Sequence, residues 1–356
     1  MNTFFNQSFW NGKKVLVTGH SGFKGSWLTL LLKYLGAEVC GISSVALNNN
    51  QALFESLNLD KHCVSHDLDI RDKAILNIFN DFQPDFVFHL AAQPLVRTSY
   101  ETPFETYDIN VMGTLSILEN IRKSASVKSS VFITTDKCYE NKEWIWGYRE
   151  NDQLGGFDPY SSSKACAELL IKSYQQSFLN ESLAISSVRA GNVIGGGDLS
   201  QDRLLPDIYR AILNDEHVTL RNPKATRPWQ HVLEPLIGYL MVAEDLFLFG
   251  HERNDAWNFG PHASDIRTVS EIARLFASQW ELDNILEDEN SENYHEAKSL
   301  SLDSSKAFFD LKWNPVWNVD TAILKTAEWY KALQNNNNVF EKTNEQIQEY
   351  LSDLKL

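Results

Sequence analysis

Cysteine is scarce in this sequence and carries no pairing signal. Cys40, Cys63, Cys138 and Cys166 form no CxxC pair and no framework spacing, which argues against a disulfide-stapled scaffold and fits reduced thiols in a cytoplasmic protein. Positive charge is short as well. Lys and Arg number 32 against 47 Asp and Glu, a formal net charge of −15, and no basic block interrupts the acidity. Nucleic-acid binding draws much of its affinity from cations on phosphates, so no nucleic-acid partner is expected. A small phosphorylated ligand asks for less, because two or three cations and a helix N-terminus hold one. Long apolar runs are missing too. Residues 27–32 are far too few to span a bilayer, and residues 1–10 lack the cationic start and apolar centre of a secretory signal, so no membrane partner is expected. His62, Cys63 and His66 lie near one another, but no two further ligands accompany them, and no metal is expected.

What remains is an ordinary globular composition, 43% hydrophobic and 22% charged, over 356 residues without an internal repeat. That length suits one large domain with a smaller second lobe. The first half alternates short β-branched apolar runs with helical stretches. Lys14–Thr18 reads as a strand ended by glycine, residues 26–35 as a helix stopped at Gly36, and residues 38–42 as the next strand. Residues 86–90, 130–134 and 184–189 read as further buried strands, separated by helices over 103–122 and 159–179. Such near-continuous apolar runs suit a parallel sheet covered on both faces, which makes the fold α/β and doubly wound. Beyond Gly191 the rhythm loosens into a smaller lobe, with the polar stretch 283–299 and the asparagine runs 48–50 and 335–338 as loops. On the helix over 103–122, Phe104, Tyr107, Val111, Leu115 and Leu118 mark one face, while Ile109, Met112 and Ile117 load others. The surplus fits either burial against a second subunit, making a homodimer, or a wide interface within the chain.

Directly after the first strand stands Gly19-His20-Ser21-Gly22-Phe23-Lys24-Gly25. Glycines at this spacing let the backbone turn sharply off the strand and approach a pyrophosphate, while the N–H groups of the following helix face the anion. Between a strand and a helix this is a dinucleotide-binding signature, and the sheet is therefore expected to be of Rossmann type. The second strand ends in Gly41-Ile42-Ser43-Ser44, with neither the acid that holds an adenosine ribose nor an arginine, so this position leaves NAD and NADP open. Asp69, beside Ile70 after the next strand, is placed to contact the adenine or else is a solvated loop acid. Tyr160 and Lys164 sit at i and i+4, one helical face. A nearby ammonium favours phenolate, which would let the tyrosine act as a base nearer neutral pH. Tyr294 and Lys298 repeat the spacing, but in the polar part of the second lobe. Thr135, Asp136 and Lys137 end a strand, where open α/β sheets place their ligands. Asn110 falls on a helix between two strands and by itself reads as structural.

Taken together, these residues resemble the extended short-chain dehydrogenase/reductase family and, more narrowly, its CDP-glucose 4,6-dehydratases. The resemblance is carried by Gly19 to Leu28, by His89-Leu90-Ala91-Ala92-Gln93-Pro94-Leu95-Val96-Arg97, by Thr134 to Tyr139, by Tyr160 to Lys164, by Arg189-Ala190-Gly191-Asn192-Val193-Ile194-Gly195-Gly196-Gly197-Asp198, and by Arg227-Pro228-Trp229-Gln230-His231-Val232. It spans at least residues 14–260. It implies a dinucleotide-binding domain over 1–192, rejoined by 229–260, with 193–228 and 261–356 forming the sugar-nucleotide lobe and tail.

It also implies NAD as cofactor, held by Gly19, Ser21, Gly22, Phe23, Gly25, Ser43, Asp69, Ile70, Leu90, Ala91, Ala92, Tyr160 and Lys164. On this resemblance Tyr160 takes the proton of the sugar 4-hydroxyl as hydride leaves C4 for the cofactor, and Lys164 lowers the Tyr160 pKa and holds the nicotinamide ribose. Thr135 positions the 4-oxygen, Asp136 protonates the departing 6-hydroxyl, and hydride returns to C6. The dTDP-glucose dehydratases carry a glutamate as C5 base where this chain has Lys137, and a lysine serves there only if partly neutral. A tryptophan expected after the GGGD string is Leu199 here. The substrate, a nucleotide-linked sugar, falls to Asn192, Arg203 and Arg227 around the diphosphate, with Gln93, Arg97 and Asn110 beside the sugar. A 4-epimerase would share Tyr160 and Lys164 without needing an acid at Asp136. A non-catalytic NAD(P)-binding regulator would gain nothing from an intact Tyr160, Lys164 and Thr135 set.

Overall fold

The computed structural model describes residues 5–45, 52–178, 183–220, 222–282, 285–287 and 298–354. Seven strands, all parallel, form the central sheet: β1 (Lys14–Thr18), β2 (Glu38–Ser43), β3 (Val64–Asp67), β4 (Phe86–His89), β5 (Ser129–Ile133), β6 (Ile185–Ala190) and β7 (Ala256–Phe259). Their spatial order is β7-β6-β5-β4-β1-β2-β3. The chain winds outward from β1 in one direction, then returns to β1 and winds outward in the other, which is the Rossmann arrangement with its switch point between β1 and β4.

Alternation of side chains along each strand divides the core in two. Val15, Val17, Phe86, Phe88, Val131 and Ile133 point to one face, where they meet α1 (Phe23–Tyr34) and the helix Leu233–Phe249. Leu16, Val87 and Phe132 point to the other, against α2 (Ile75–Phe82) and the helices that follow. Because both faces are covered, the central strands β1, β4 and β5 are buried along almost their whole length, and they read in the sequence as mainly apolar runs.

Beyond β4 come α3 (Val96–Glu101) and α4, built of Pro103–Tyr107, a π turn over Asp108–Met112, and Gly113–Lys123 without a break. The π turn adds a residue to the helical repeat, so the side chains beyond it are rotated relative to a uniform helix. This corrects the face read from the sequence. Leu118 is turned inward with Ile109 and Ile117, while Phe104 at 84% and Met112 at 50% are exposed. The helix α5 (Pro159–Ser177) is started by Asp158, whose carboxylate accepts from Ser161 N at 2.9 Å and Ser161 Oγ at 2.6 Å, with Pro159 in the first turn. Residues 26–35 understate α1: it begins at Phe23, because Gly22 is its N-cap.

The smaller lobe holds α6 (Leu204–Asn214), short strand pairs such as Val218–Leu220 with Ile285–Glu287, and the helix Val269–Ala277. Two further helices, Val319–Gln334 and Val339–Asp353, are joined by the 335–338 turn and pack back into the core beneath α1. The asparagines at 48–50 lie outside the described residues. No helix is long and apolar enough to cross a membrane among the described residues.

Candidate active site

At the switch point the chain leaves β1 through Gly19, at φ +72°. A side chain there would put its Cβ 2.7 Å from Ala91 N, and one at Gly25 would put it 2.0 Å from the Gly19 carbonyl. The motif therefore brings the β1 turn against the Leu90–Ala92 segment after β4, where Leu90 N donates to Thr18 O and Ala91 N to Thr18 Oγ1. Gly22 differs. Beyond ordinary contact with Gly19 O at 3.5 Å, nothing in the protein crowds its missing side chain, so the first N–H groups of α1 are left approachable. That cradle fits a dinucleotide pyrophosphate. Ser21 N donates to the Ser43 hydroxyl at the end of β2 (3.3 Å), and His20 turns beneath, its Nε2 2.8 Å from Ser65 Oγ. Burial lowers the His20 imidazole to about 4, so it is neutral. Both Asp69 oxygens accept from Arg71, which also pairs with Asp108. The acid is thus fixed by Arg71 just after β3, with lone pairs to spare. Ile70 is buried against Gly113.

A cavity of about 650 Å³ lies beyond the ends of β5 and β6, roofed by the smaller lobe. Its floor is Thr135, Asp136, Lys137 and Tyr160; its far wall includes Asn192, Arg203 and Arg227. Thr135 is extended at the strand end, its hydroxyl accepting from Lys137 N and donating to Asp136 Oδ1 at 3.1 Å. The other carboxyl oxygen, Oδ2, is buried without a partner among the described residues. Burial raises the Asp136 pKa against the pull of Lys137, Thr135, Arg227 and Lys24, which favours the protonated form. Burial lowers Lys137, helped by Arg227 and Arg203 and opposed by Asp136 and Asp158. The site thus tends toward a neutral acid beside a neutral amine.

Tyr160, buried and hydrogen-bonded with Thr135, is pushed up to about 12 by burial; Arg203 and Thr135 oppose the rise. Lys164 follows one turn along α5, on the face of Tyr160. Its ammonium donates to the Ile133 carbonyl at 3.1 Å, and burial lowers it to about 8.

Two of the expected sugar contacts are spent elsewhere. Gln93 closes on Leu95 N and O and on Thr106 Oγ1; Asn110, 1% exposed at the π turn, holds Gln93 N, Gln93 O and Ser163 Oγ. With their amide groups engaged, both brace the loop against α5 rather than face the cavity. Arg97 does line the cavity, paired with Asp202 from the opposite wall at 2.8 Å. Arg227 is buried, its Nη1 donating to Thr226 O, so it is no surface ion pair.

Three of the strings that carry the resemblance meet in space. Trp27 donates to the Gly196 carbonyl at 2.9 Å and stands edge-on to His231 at 5.6 Å. Leu199 packs partly against the same core. The sequence reading missed Asp158, although Asp-Pro before a helix is a cap signal, and Glu168, one further turn along the face of Tyr160 and Lys164. Tyr294 lies outside the described residues. No group of three metal-ligating side chains occurs among the described residues, and the His62 ring stacks on Phe340.

The model of the GDP-mannose 4,6 dehydratase family matches residues 16–326. A CDP-glucose 4,6-dehydratase of Salmonella typhimurium is 46% identical, covering 98% of each chain. Among solved structures, an epimerase from Methanothermobacter thermautotrophicus superposes with a TM-score of 0.81 at 21% identity, covering 94% of this chain and 97% of that one. A dTDP-glucose 4,6-dehydratase from Bacillus anthracis in complex with NAD gives 0.75 at 19%, covering 93% and 100%. The last two share the Rossmann-type fold; the first two go further, and the chain belongs to the GDP-mannose 4,6 dehydratase family, standing with its 4,6-dehydratases, which are hydro-lyases.

Proposed function

We propose that the chain converts CDP-glucose to CDP-4-keto-6-deoxyglucose, using NAD that stays bound through the cycle. The observation that carries this reading is Asp136: a buried carboxyl with a raised pKa and one bare oxygen, on the cavity floor beside Tyr160. An epimerase has no use for such an acid; a dehydratase must protonate a leaving hydroxyl. The choice of CDP rests on the 46% relative.

Bound along Gly19, Gly22, Gly25, Ser43, Asp69 and the Leu90–Ala92 segment, NAD supplies the hydride acceptor and donor. Tyr160 takes the proton of the 4-hydroxyl, with Thr135 sharing the hydrogen bond to the 4-oxygen. The 4-ketone acidifies the C5 hydrogen, and Lys137 removes that proton as a neutral amine. Asp136 gives its proton to the departing 6-hydroxyl, which leaves as water. Asn192, Arg203 and Arg227 hold the diphosphate, and arginine forks suit that task. Lys164, cationic, steadies the ribose and phenol. The working form is a cytoplasmic homodimer joined through the exposed side of α4.

Incubating the protein with CDP-glucose, dTDP-glucose, UDP-glucose and GDP-mannose, with no added reductant, tests this by mass spectrometry. The expected result is loss of one water from CDP-glucose alone. Loss from another sugar nucleotide removes the CDP assignment, and no mass change with any of them overturns the dehydratase reading.

A further inference from the structure

One buried ion pair touches both catalytic segments without reaching the cavity. Glu168 and Arg189 are each about 3% exposed and pair at 2.7 Å, with a second contact from Arg189 Nε to Glu168 Oε1 at 2.9 Å. The Glu168 carboxylate also accepts from Thr134, the residue before Thr135, and from Ser187 on β6 at 2.8 Å. Arg189 donates onward to Tyr139 Oη at 2.7 Å and to the Glu150 carbonyl at 3.1 Å, and Tyr139 Oη donates to Asn258 at 2.8 Å. The segments on either side of Thr135, Asp136 and Lys137 are thus both tied to one carboxylate on α5.

That carboxylate stands one helical turn beyond Lys164 and two beyond Tyr160, on the same face. We infer that Glu168 is a positioning residue for the catalytic pair, which locks α5 to the ends of β5 and β6 and supplies the negative charge that keeps the buried Lys164 ammonium protonated. This rests on the reading of Lys164 as the cation of the site.

The charges around Lys164 support it. Burial works against the ammonium, and Glu168 is the first-ranked group that favours it, followed by Cys138. Cys138 is a buried thiol whose pKa is pushed up, so it carries no charge near neutral pH. Among the other titratable neighbours, the Lys24 ammonium opposes a second cation, His89 is neutral because burial lowers it to about 3, and the Tyr160 phenol is neutral because burial pushes it up to about 12. A fully buried carboxylate is costly unless paired, and Arg189, Thr134 and Ser187 together hold Glu168 ionised, its pKa below the ordinary value. The helix therefore keeps a permanent anion one turn from a lysine that would otherwise lose its proton.

The test is the titration of Lys164 in the cofactor-loaded protein without substrate, followed by the 13Cε resonance and assigned with Lys164→Arg. Glu168→Gln removes the charge but strands Arg189 in the core. Glu168→Gln with Arg189→Met removes both charges, retains the bonds to Thr134 and Ser187, and supplies a second variant if the first fails to fold. Both should lower the Lys164 midpoint by about one pH unit or more. The alkaline limb of kcat/KM should move down with it, although the double variant regains most of the lost Tm. An unchanged midpoint in a folded variant overturns the inference. A midpoint that falls while the alkaline limb stays in place overturns its catalytic half, and with it the role given to Lys164, whatever sugar nucleotide is turned over.

Discussion

Asp136 and Lys137 are adjacent in sequence, and each is pushed by burial toward its neutral form while the other's charge resists. Their opposite shifts define a pH window. Lys137 acts only when neutral, so activity falls as the solution is acidified and the amine takes up a proton. Asp136 acts only when protonated, so activity falls again as the pH rises and the carboxyl is lost. A bell-shaped kcat profile is expected, and Lys137→Met should remove its acid limb along with most of the rate. Asp136→Asn should cost about 10²- to 10⁴-fold in dehydration, the usual worth of a placed acid, yet leave oxidation at C4 intact. Trapping with borodeuteride then yields a hexose labelled at C4 that retains its 6-oxygen. A variant that still releases water at a normal rate refutes the assignment of Asp136. The same residues mark how far the candidate site was legible beforehand, since the fold brings Thr135, Asp136, Lys137 and Tyr160 to one cavity. Thr135, Asp136, Lys137, Tyr160 and Lys164 were found because a strand end and an i, i+4 spacing are local patterns. The commitments of Gln93 and Asn110 were not legible, because they depend on Leu95, Thr106 and Ser163, partners that only the folded chain brings within reach.

At the scale of elements, the centre of the sheet could be read because covering both faces leaves β1, β4 and β5 mainly apolar, and the glycine motif marks where β1 ends. The inner face of α4 could not, since a π turn leaves no mark in a hydrophobic pattern counted at 3.6 residues per turn. Once the turn at Asp108–Met112 is included, Phe104 and Met112 stand out on the solvent side with Tyr107 at 36% exposure. Single exposed apolar residues need no explanation, but several along one helix mark an interaction surface. If the proposed homodimer uses this face, Met112→Glu should yield monomers in analytical ultracentrifugation while the far-ultraviolet spectrum stays native. A dimer that persists at micromolar concentration places the interface elsewhere. Asn110 occupies the same π turn with its amide on Gln93 and Ser163. Asn110→Ala strands the Gln93 N–H, and a cost of about 1–3 kcal/mol in urea unfolding is expected.

The whole molecule is drawn together by a further buried carboxylate, on a residue that does not line the cavity. Glu234 opens the helix Leu233–Phe249 on the sheet and accepts from Val316 N and Trp317 N and from Tyr350 Oη at 2.6 Å. The last helix, the turn before Val319–Gln334 and the central sheet all meet on it. Burial raises its pKa from 4.5 to about 7, with Asp265 adding to the rise and the three donors opposing it. The folded-state pKa therefore lies above the unfolded one. Stability from this group is full below pH 4.5 and is lost as the pH rises through about 7. Glu234→Gln fits the same bonds: one amide oxygen can accept both backbone N–H groups, now through Oε1, and the amide nitrogen can donate to Tyr350 Oη. The variant should therefore unfold in urea much like the parent near pH 5, and be more stable by up to about 3 kcal/mol near pH 9, where the parent must carry a buried charge. Two stability curves that stay parallel from acid to alkaline pH would show that Glu234 keeps its ordinary pKa, and that the C-terminal helices are held by packing of Trp317, Trp329 and Tyr350 alone.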